Sequence, residues 1–163
     1  MPMALDIPTL AAQVGALLGG ANKTLSVAES CTGGLLGAAI TAIPGSSAYF
    51  LGGIIAYHNS IKEKALGVPR ILLNAHGSVS HDVAIAMAKG ASHATGSDCS
   101  IAITGIAGPG GGSREKPAGL VYIAVLTPEA SDVFEYRFAG DRREVREQAV
   151  AESLRKLGEF LGD

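Results

Sequence analysis

Features that would place this chain in a familiar functional class are scarce or missing. Charged residues make up only 17% of its 163 residues, and 13 basic against 15 acidic side chains leave a formal net charge of -2. So nearly neutral a chain has no general electrostatic attraction to nucleic acid or an anionic membrane. No segment of about 20 residues is apolar enough to span a bilayer, and the N-terminus lacks the pattern of a signal peptide. We therefore expect a cytoplasmic protein in which any anion site is local.

Cysteine and histidine are too few and too scattered to indicate a redox or metal centre. The two cysteines, Cys31 and Cys99, form no CxxC pair, and reduced thiols are their usual state in a cytosolic protein. The four histidines show neither the HExxH spacing nor a cysteine-assisted zinc pattern. We expect no metal ion and no cofactor, and capping or surface roles for the histidines.

Apolar side chains, by contrast, are abundant and make up 47% of the chain. With 163 residues, it is long enough to bury about two-thirds of its unfolded surface without a disulfide or a structural metal. No tandem repeat or linker interrupts it, so residues 1–163 are expected to form a single domain. The apolar surplus favours self-association, and we expect a homo-oligomer, most simply a dimer.

Helical and strand patterns alternate along the chain. The predicted strands are Leu25–Glu29, Gly52–Tyr57, Cys99–Thr104, Gly119–Leu126 and Val133–Phe138. The predicted helices are Ile7–Leu18, a fully buried Leu35–Ile43, a short helix capped by Ser60, a helix from Ser80 to Gly96, and a final helix opened by the capping box of Asp141 and Glu144. A short connection makes the last two strands an antiparallel pair. The patterns predict a three-layer α/β/α sandwich around a mixed, mostly parallel sheet of about five strands.

The most informative segment runs from Ala28 to Gly34, with the sequence AESCTGG. It places Ser30 where an apolar strand turns into a glycine-opened helix, so Ser30 is expected at or just before the helix N-terminus. Free backbone N–H groups there suit a phosphate, a carboxylate or the oxyanion of a tetrahedral intermediate. In one alternative, Ser30 or Thr32 only caps the helix. In another, Cys31 is the nucleophile, with its pKa lowered by the helix start.

A second polar group, Tyr57-His58-Asn59-Ser60-Ile61-Lys62, follows the next strand. Tyr57 and Lys62 are both expected at the sheet edge where Ser30 lies. A lysine neutral near pH 7 activates a serine by taking its proton, and a tyrosine relays the proton or holds the pair in place. The alternative is that Lys62 belongs to a solvated helix face.

A long glycine-rich segment, Thr104 to Ser113, follows the third strand. Its backbone permits close approach to a ligand, and its N–H groups suit a phosphate. It lacks the GKT or GKS ending of a P-loop, which argues against ATP hydrolysis. The alternative is a flexible surface loop.

Taken together, several blocks resemble the C-terminal domain of the competence/damage-inducible protein CinA, a family whose stand-alone versions are nicotinamide-nucleotide amidases. The resemblance extends from about Leu10 to Leu161. It rests on the blocks Ala28–Gly34, Tyr57-x-Asn59-x-x-Lys62 with Leu66-Gly67-Val68, Val79-Ser80, Thr104–Gly111, Lys116-Pro117 and Gly140-Asp141-Arg142. It implies a metal-independent serine amidase that converts nicotinamide mononucleotide to nicotinic acid mononucleotide and ammonia, in pyridine-nucleotide recycling. The implied partner is this small nucleotide, not a nucleic acid or a membrane.

Carried over residue by residue, the resemblance makes Ser30 the nucleophile, Lys62 its general base and Tyr57 a supporting hydroxyl. The residues expected to bind the substrate or its oxyanion are Glu29, Cys31, Thr32, Gly33, Gly34, Asn59, Thr104, Gly105, Gly108, Gly110, Gly111 and Arg142. Among them, the amides of residues 31–33 form the oxyanion hole, and residues 104–112 hold the ribose phosphate. Glu29 is expected to orient Lys62 or the carboxamide.

Arg142 is expected to make a charge-assisted contact with the phosphate. The alternative is that it pairs with Asp141, Glu144 or Glu147 on its own helix. His58, if it faces the pocket, would alter the pH dependence.

Other functions remain open at this point. They are a non-catalytic nucleotide-binding or regulatory module linked to competence or DNA damage, a metal hydrolase that uses histidines, and a cysteine amidase that acts through Cys31.

Overall fold

The computed structural model describes residues 6–162, and within them five strands form one sheet in the order β2-β1-β3-β4-β5. The strands are β1 (Leu25–Glu29), β2 (Phe50–Ile55), β3 (Cys99–Gly105), β4 (Leu120–Leu126) and β5 (Ser131–Arg137). Strands β2 and β3 pair with β1 in parallel, whereas β4 runs antiparallel to both β3 and β5. Only β4 is reversed, so the predicted mixed and mostly parallel sheet is confirmed.

Helices cover both faces of this sheet. In the described part of the chain they are α1 (Ile7–Ala21), α2 (Leu35–Thr41), α3 (Asn59–Leu66), α4 (Arg70–His76), α5 (His81–Thr95) and α6 (Arg142–Gly162), with a 3₁₀ turn at Ser46–Ala48. Helices α1, α2 and α6 pack together on one face, while α5 lies on the other with α3 and α4 against it. The predicted α/β/α sandwich is therefore confirmed.

The two faces of the sheet carry side chains of different size. Strand β3 presents Ile101 and Ile103 to the core under α1 and α6, and Ala102 to the core under α5. Because side chains alternate along a strand, one strand serves both cores. The small residues let α5 lie close to the sheet, where Ser100 Oγ donates a hydrogen bond to Ala88 O at 2.7 Å.

The strand order opens a crevice at the carboxyl ends of β1 and β3. The chain leaves β1 through α2 toward β2 on one side, and leaves β3 toward β4 on the other. Such a divergence between neighbouring parallel strands is where open α/β sheets bind ligands. Ser30 lies at this edge, where its N–H donates to Ile103 O at 3.0 Å.

Several ends of helices and strands were predicted correctly from capping residues and short sequence patterns. Strand β1 has the predicted ends, and the Ser80 hydroxyl caps α5 by accepting from the Val83 N–H at 3.3 Å. The capping box is also confirmed, because Glu144 N–H donates to Asp141 Oδ1 and Asp141 N–H donates to Glu144 Oε1, at 2.8 and 3.1 Å.

Other boundaries differ from the prediction. Strand β2 ends at Ile55, so Tyr57 lies beyond it. The cap of α3 is His58, not Ser60, because its Nδ1 accepts from the Ser60 N–H at 3.1 Å.

Two of the short helices also differ from the prediction. Helix α2 stops at Thr41 and fully buries only Leu36 and Ile40, so this apolar helix is not buried all round. Helix α4 was not predicted, because seven residues directly after Pro69 are too few to show a helical period.

Candidate active site

Ser30 and Lys62 meet at the carboxyl end of β1. Lys62 Nζ lies 2.9 Å from Ser30 Oγ, 2.7 Å from Ala56 O and 3.0 Å from Tyr57 O. The lysine is only 1% exposed, because it shares the inward face of α3 with Leu66, one turn further on. The alternative of a solvated helix face for Lys62 is therefore wrong.

Burial tunes the charge of this lysine. It lowers the pKa of Lys62 from 10.5 to about 8, because an ammonium removed from water loses solvation. An ammonium has three hydrogens for the three acceptors around it. In the neutral amine, the two carbonyls take both hydrogens, and the lone pair is left for the Ser30 hydroxyl. The arrangement is suited to proton transfer from Ser30.

Beside this pair lies a cavity of about 530 Å³, a size typical of small-molecule sites. Of the residues expected in a site, those that line it are Ser30, Cys31, Tyr57, Lys62, Thr104, Gly105, Gly108, Gly110, Gly111 and Arg142. Ile106 and Ala107, which belong to the predicted phosphate-binding residues 104–112, also line it. The lining residues for which no role was predicted are Gly77, Ser78, Val79, Ser113 and Lys116. The Lys116-Pro117 block offered a signal for Lys116. The Val79-Ser80 block was likewise a signal for Val79, whereas Gly77 and Ser78, which follow the unpredicted α4, had none.

The charged side chains on the cavity wall are all positive. Lys62, Lys116 and Arg142 line it, and within residues 6–162 no Asp or Glu does. Arg142 donates to Gly108 O at 2.9 Å and to the Tyr57 hydroxyl at 3.3 Å, while Lys116 Nζ donates to His76 O. The alternative in which Arg142 pairs with acidic residues of α6 is therefore wrong. A cationic wall in a chain of net charge -2 favours an anionic ligand.

Glu29 has a structural contact instead of the one expected. Its two carboxylate oxygens accept from the N–H groups of Leu36 and Gly37, each at 2.9 Å. A carboxylate that is 2% exposed thus takes the free amides of the α2 N-terminus. The expectation that Glu29 orients Lys62 or the carboxamide is wrong. Likewise, Ser30 does not adjoin the helix start, because a turn through Gly34, at φ 105°, separates it from α2.

The amides after Ser30 are not equally available to a ligand. Gly33 N–H donates to Ser30 O at 3.1 Å, which removes Gly33 from the expected oxyanion hole. Within residues 6–162, the N–H groups of Cys31 and Thr32 have no protein acceptor outside their own residue. Of these two residues only Cys31 lines the cavity, so its amide is the candidate left for an oxyanion.

Besides Glu29 and Gly33, three further residues expected in the site lie off the cavity wall. Thr32 is fully buried, and its hydroxyl has no partner among the described residues. Gly34 is the cap of α2, and Asn59 is exposed at the start of α3. His58, whose ring caps α3, is likewise not among the lining residues.

Tyr57 contacts Lys62 through its backbone. The carbonyl accepts from Lys62, whereas the hydroxyl accepts from Arg142, and the residue is 61% exposed. In the described structure, no hydrogen bond joins the Tyr57 hydroxyl to Ser30 or Lys62. The expected supporting role of the hydroxyl toward that pair is thus not matched by a contact.

Cys31 lines the cavity but is poorly suited to attack. Burial raises the pKa of its thiol to about 11 and outweighs the nearby charges of Arg146 and Lys62, which act in the opposite direction. At neutral pH the thiol stays protonated, and only the thiolate is an effective nucleophile. The environment therefore argues against a cysteine amidase.

Over residues 6–162, no three His, Cys, Asp or Glu side chains are grouped closely enough to hold a metal ion. None of the helices in this range has the length and apolarity that crossing a membrane requires.

Comparison with known proteins connects this geometry to a family. The family model described as CinA C-terminal domain matches residues 7–161. A CinA-like protein of Parasynechococcus marenigrum is 55% identical over 152 residues, which cover 91% of this chain and 36% of that protein. A putative competence-damage inducible protein of Moorella thermoacetica is 50% identical over 156 residues, which cover 96% of this chain and 38% of that protein. The chain thus spans a little over a third of the length of these curated relatives.

Solved structures of similar length share the fold. The competence/damage inducible protein CihA from Agrobacterium tumefaciens superposes with a TM-score of 0.93 at 39% identity, covering 97% of this chain and 96% of that one. A competence-damaged protein (CinA) superfamily protein from Klebsiella pneumoniae gives a TM-score of 0.93 at 34% identity, and the match covers 96% of this chain and 98% of that one.

Proposed function

The chain belongs to the CinA C-terminal domain family, and we propose that it is a serine amidase that hydrolyses nicotinamide mononucleotide to nicotinic acid mononucleotide and ammonia. The observation that carries the proposal is the 2.9 Å contact between Ser30 Oγ and the buried amine of Lys62. A serine hydroxyl attacks an amide only when a neighbouring base takes its proton. Lys62, with its pKa lowered to about 8, is such a base.

The proposed reaction has two halves. Neutral Lys62 takes the Ser30 proton as Oγ bonds to the carboxamide carbon, and the Cys31 amide stabilises the oxyanion. The Lys62 ammonium then gives its proton to the leaving nitrogen, the C–N bond breaks, and ammonia departs. Water attacks the acyl-serine while Lys62 takes one of its protons, and Lys62 returns that proton to Ser30 Oγ as the carboxylic acid is released.

The wall of the cavity supports a nucleotide at the other end of the substrate. Lys116 and Arg142 line the cavity with no acidic side chain beside them on the described wall. Arg142 suits a phosphate because its planar guanidinium presents several donors to the phosphate oxygens. The glycine-rich residues 104–112 supply backbone amides to the same region.

Product analysis of the purified chain tests this proposal. With nicotinamide mononucleotide we expect stoichiometric ammonia and nicotinic acid mononucleotide, at an undiminished rate in EDTA. Loss of activity in EDTA would instead favour the metal hydrolase. Tight binding of the nucleotide without ammonia release would contradict the amidase and favour the regulatory module, since a relative is named a putative competence-damage inducible protein.

A further inference from the structure

Arg146 of α6 contacts the turn that follows Ser30. Its Nε donates to Cys31 O and its Nη2 to Thr32 O, each at 3.0 Å, across 115 and 114 positions of sequence. Arg146 forms no salt bridge with a carboxylate of residues 6–162. Its guanidinium is thus committed to two consecutive backbone carbonyls.

Both carbonyls lie in the turn that carries the candidate oxyanion donor, the Cys31 N–H. In a trans peptide, the C=O and the next N–H lie in one plane and point in opposite directions. Holding Thr32 O from the α6 side therefore fixes the direction of the Gly33 N–H. The Gly33 N–H donates to Ser30 O at 3.1 Å, and because Ser30 O is the carbonyl of the peptide that carries the Cys31 N–H, the direction of the Cys31 N–H is fixed in turn.

The positive charge of Arg146 also favours an oxyanion beside Ser30. It lowers the pKa of the neighbouring Cys31 thiol against the larger effect of burial, so it favours negative charge beside Ser30. A positive group behind the turn also polarises the peptides whose N–H groups lie on the opposite side.

We propose that Arg146 is a positioning residue that holds the turn after Ser30 so that the Cys31 amide is oriented toward the oxyanion formed when Ser30 attacks. This inference rests on the nucleophilic role of Ser30 within the proposed function, but not on the identity of the substrate.

A fluorophosphonate reagent provides a test that needs no nucleotide. The Ser30 Oγ–P bond forms as the P–F bond breaks, fluoride leaves, and Lys62 takes the serine proton. The oxygen on phosphorus develops the charge that the Cys31 amide is expected to hold. The rate of mass increase at Ser30, followed by intact mass spectrometry, reports the step directly.

The variant Arg146→Met is compared with Arg143→Met, a change on the same helix at a side chain that is 85% exposed and paired with Glu147. We expect Arg146→Met to slow Ser30 labelling by about 10- to 100-fold, less than the loss of an oxyanion donor itself. Its pH midpoint is expected to stay near that of the parent, because Lys62 is not contacted by Arg146. Arg143→Met should label at the parental rate.

Parental labelling by Arg146→Met would overturn the inference, and so would a shifted pH midpoint, which would indicate general disruption of the site. If Arg146→Met does not fold, Arg146→Lys keeps a charge without the guanidinium fork and is expected to label more slowly than the parent. Suppose that labelling is slowed in Arg146→Met but the parent does not hydrolyse nicotinamide mononucleotide. The proposed substrate would then be refuted, and the inference about Arg146 would stand. If the parent hydrolyses the nucleotide but Arg146→Met labels at the parental rate, the inference about Arg146 is refuted and the proposed substrate stands. A folded parent that is not labelled at Ser30 would overturn both the inference and the proposed function.

Discussion

Lys62 Nζ lies 2.9 Å from Ser30 Oγ across 32 positions of sequence, and two backbone carbonyls, Ala56 O and Tyr57 O, hold the same nitrogen. The carbonyls distinguish this lysine from one that merely caps a serine. They stabilise the ammonium when it is present, and they orient the lone pair toward the hydroxyl when it is not. Burial supplies the remaining condition, an amine that loses its proton within reach of neutral pH.

The pH dependence of turnover should report this lysine. We expect kcat/KM for nicotinamide mononucleotide to rise with pH through an apparent pKa of about 8, the value to which burial lowers Lys62. The reason is that only the neutral amine accepts the Ser30 proton. A profile that is flat from pH 6 to 10 would rule out Lys62 as the base.

The matched pair Lys62→Met and Lys64→Met separates the base from its exposed neighbour on α3. We expect Lys62→Met to lower kcat by about 10²- to 10⁴-fold, the usual contribution of a general base. Nucleotide affinity, measured by calorimetry, should change little. Equal losses in the two variants would contradict the assignment.

Lys62 should also make the stability of the fold depend on pH. Its pKa is 10.5 in an ordinary environment and about 8 when folded, so between these values the unfolded chain binds more protons. Folding stability therefore gains a contribution as pH rises from about 8 to about 10.5, amounting at about 1.4 kcal/mol per unit to about 3 kcal/mol. Chemical denaturation of the parent and of Lys62→Met across this range measures it. The stability difference between the two should grow in favour of the parent, and a constant difference would contradict the prediction.

Arg142 and Arg143 form a second matched pair, since Arg142 lines the cavity and Arg143 pairs with Glu147 outside it. We expect Arg142→Met to raise KM for nicotinamide mononucleotide by about 10-fold or more, because a hydrogen bond to a charged group contributes about 1.5–3 kcal/mol. The ribonucleoside without the phosphate should show no such change. A similar KM increase for both compounds would argue against a phosphate contact.

Replacement of Glu29 is expected to lower the stability of the fold, because its carboxylate caps α2. Replacement by Gln, which exchanges one carboxylate oxygen for a donor, removes an acceptor from the start of α2 and is expected to cost about 1–3 kcal/mol. Thermal unfolding measures the loss. Glu63→Gln, which loses only a surface pair with Arg70, is the control and should change stability by less than about 1 kcal/mol. Equal effects would refute the capping role.

The fold was predictable where the signals are local. Strand β1 was recognisable from its alternating pattern of apolar and polar residues, although all five are buried, and the ends of α5 follow from Ser80 and Gly96. The strand order was not predicted, and it is the order that brings the ends of β1 and β3 together.

The site was predictable in its residue types but not in its contacts. The serine, the lysine and the glycine-rich loop stand out in sequence. The contacts of Glu29 and Arg146 do not, because one depends on the path of the turn after β1 and the other on where α6 packs. Lys62 was ambiguous for a related reason, since its neighbours Glu63 and Lys64 are polar and its burial comes from packing.

The most direct measurement compares ammonia release from nicotinamide mononucleotide by Ser30→Ala and by Cys31→Ala, adjacent residues that both line the cavity. Ser30→Ala should fold as the parent does, judged by circular dichroism, and lose about 10³-fold or more of the activity. Cys31→Ala should keep turnover within about tenfold of the parent, since a protonated thiol takes no part. A Ser30→Ala protein that releases ammonia at the parental rate, or a Cys31→Ala protein that releases none, would contradict the account.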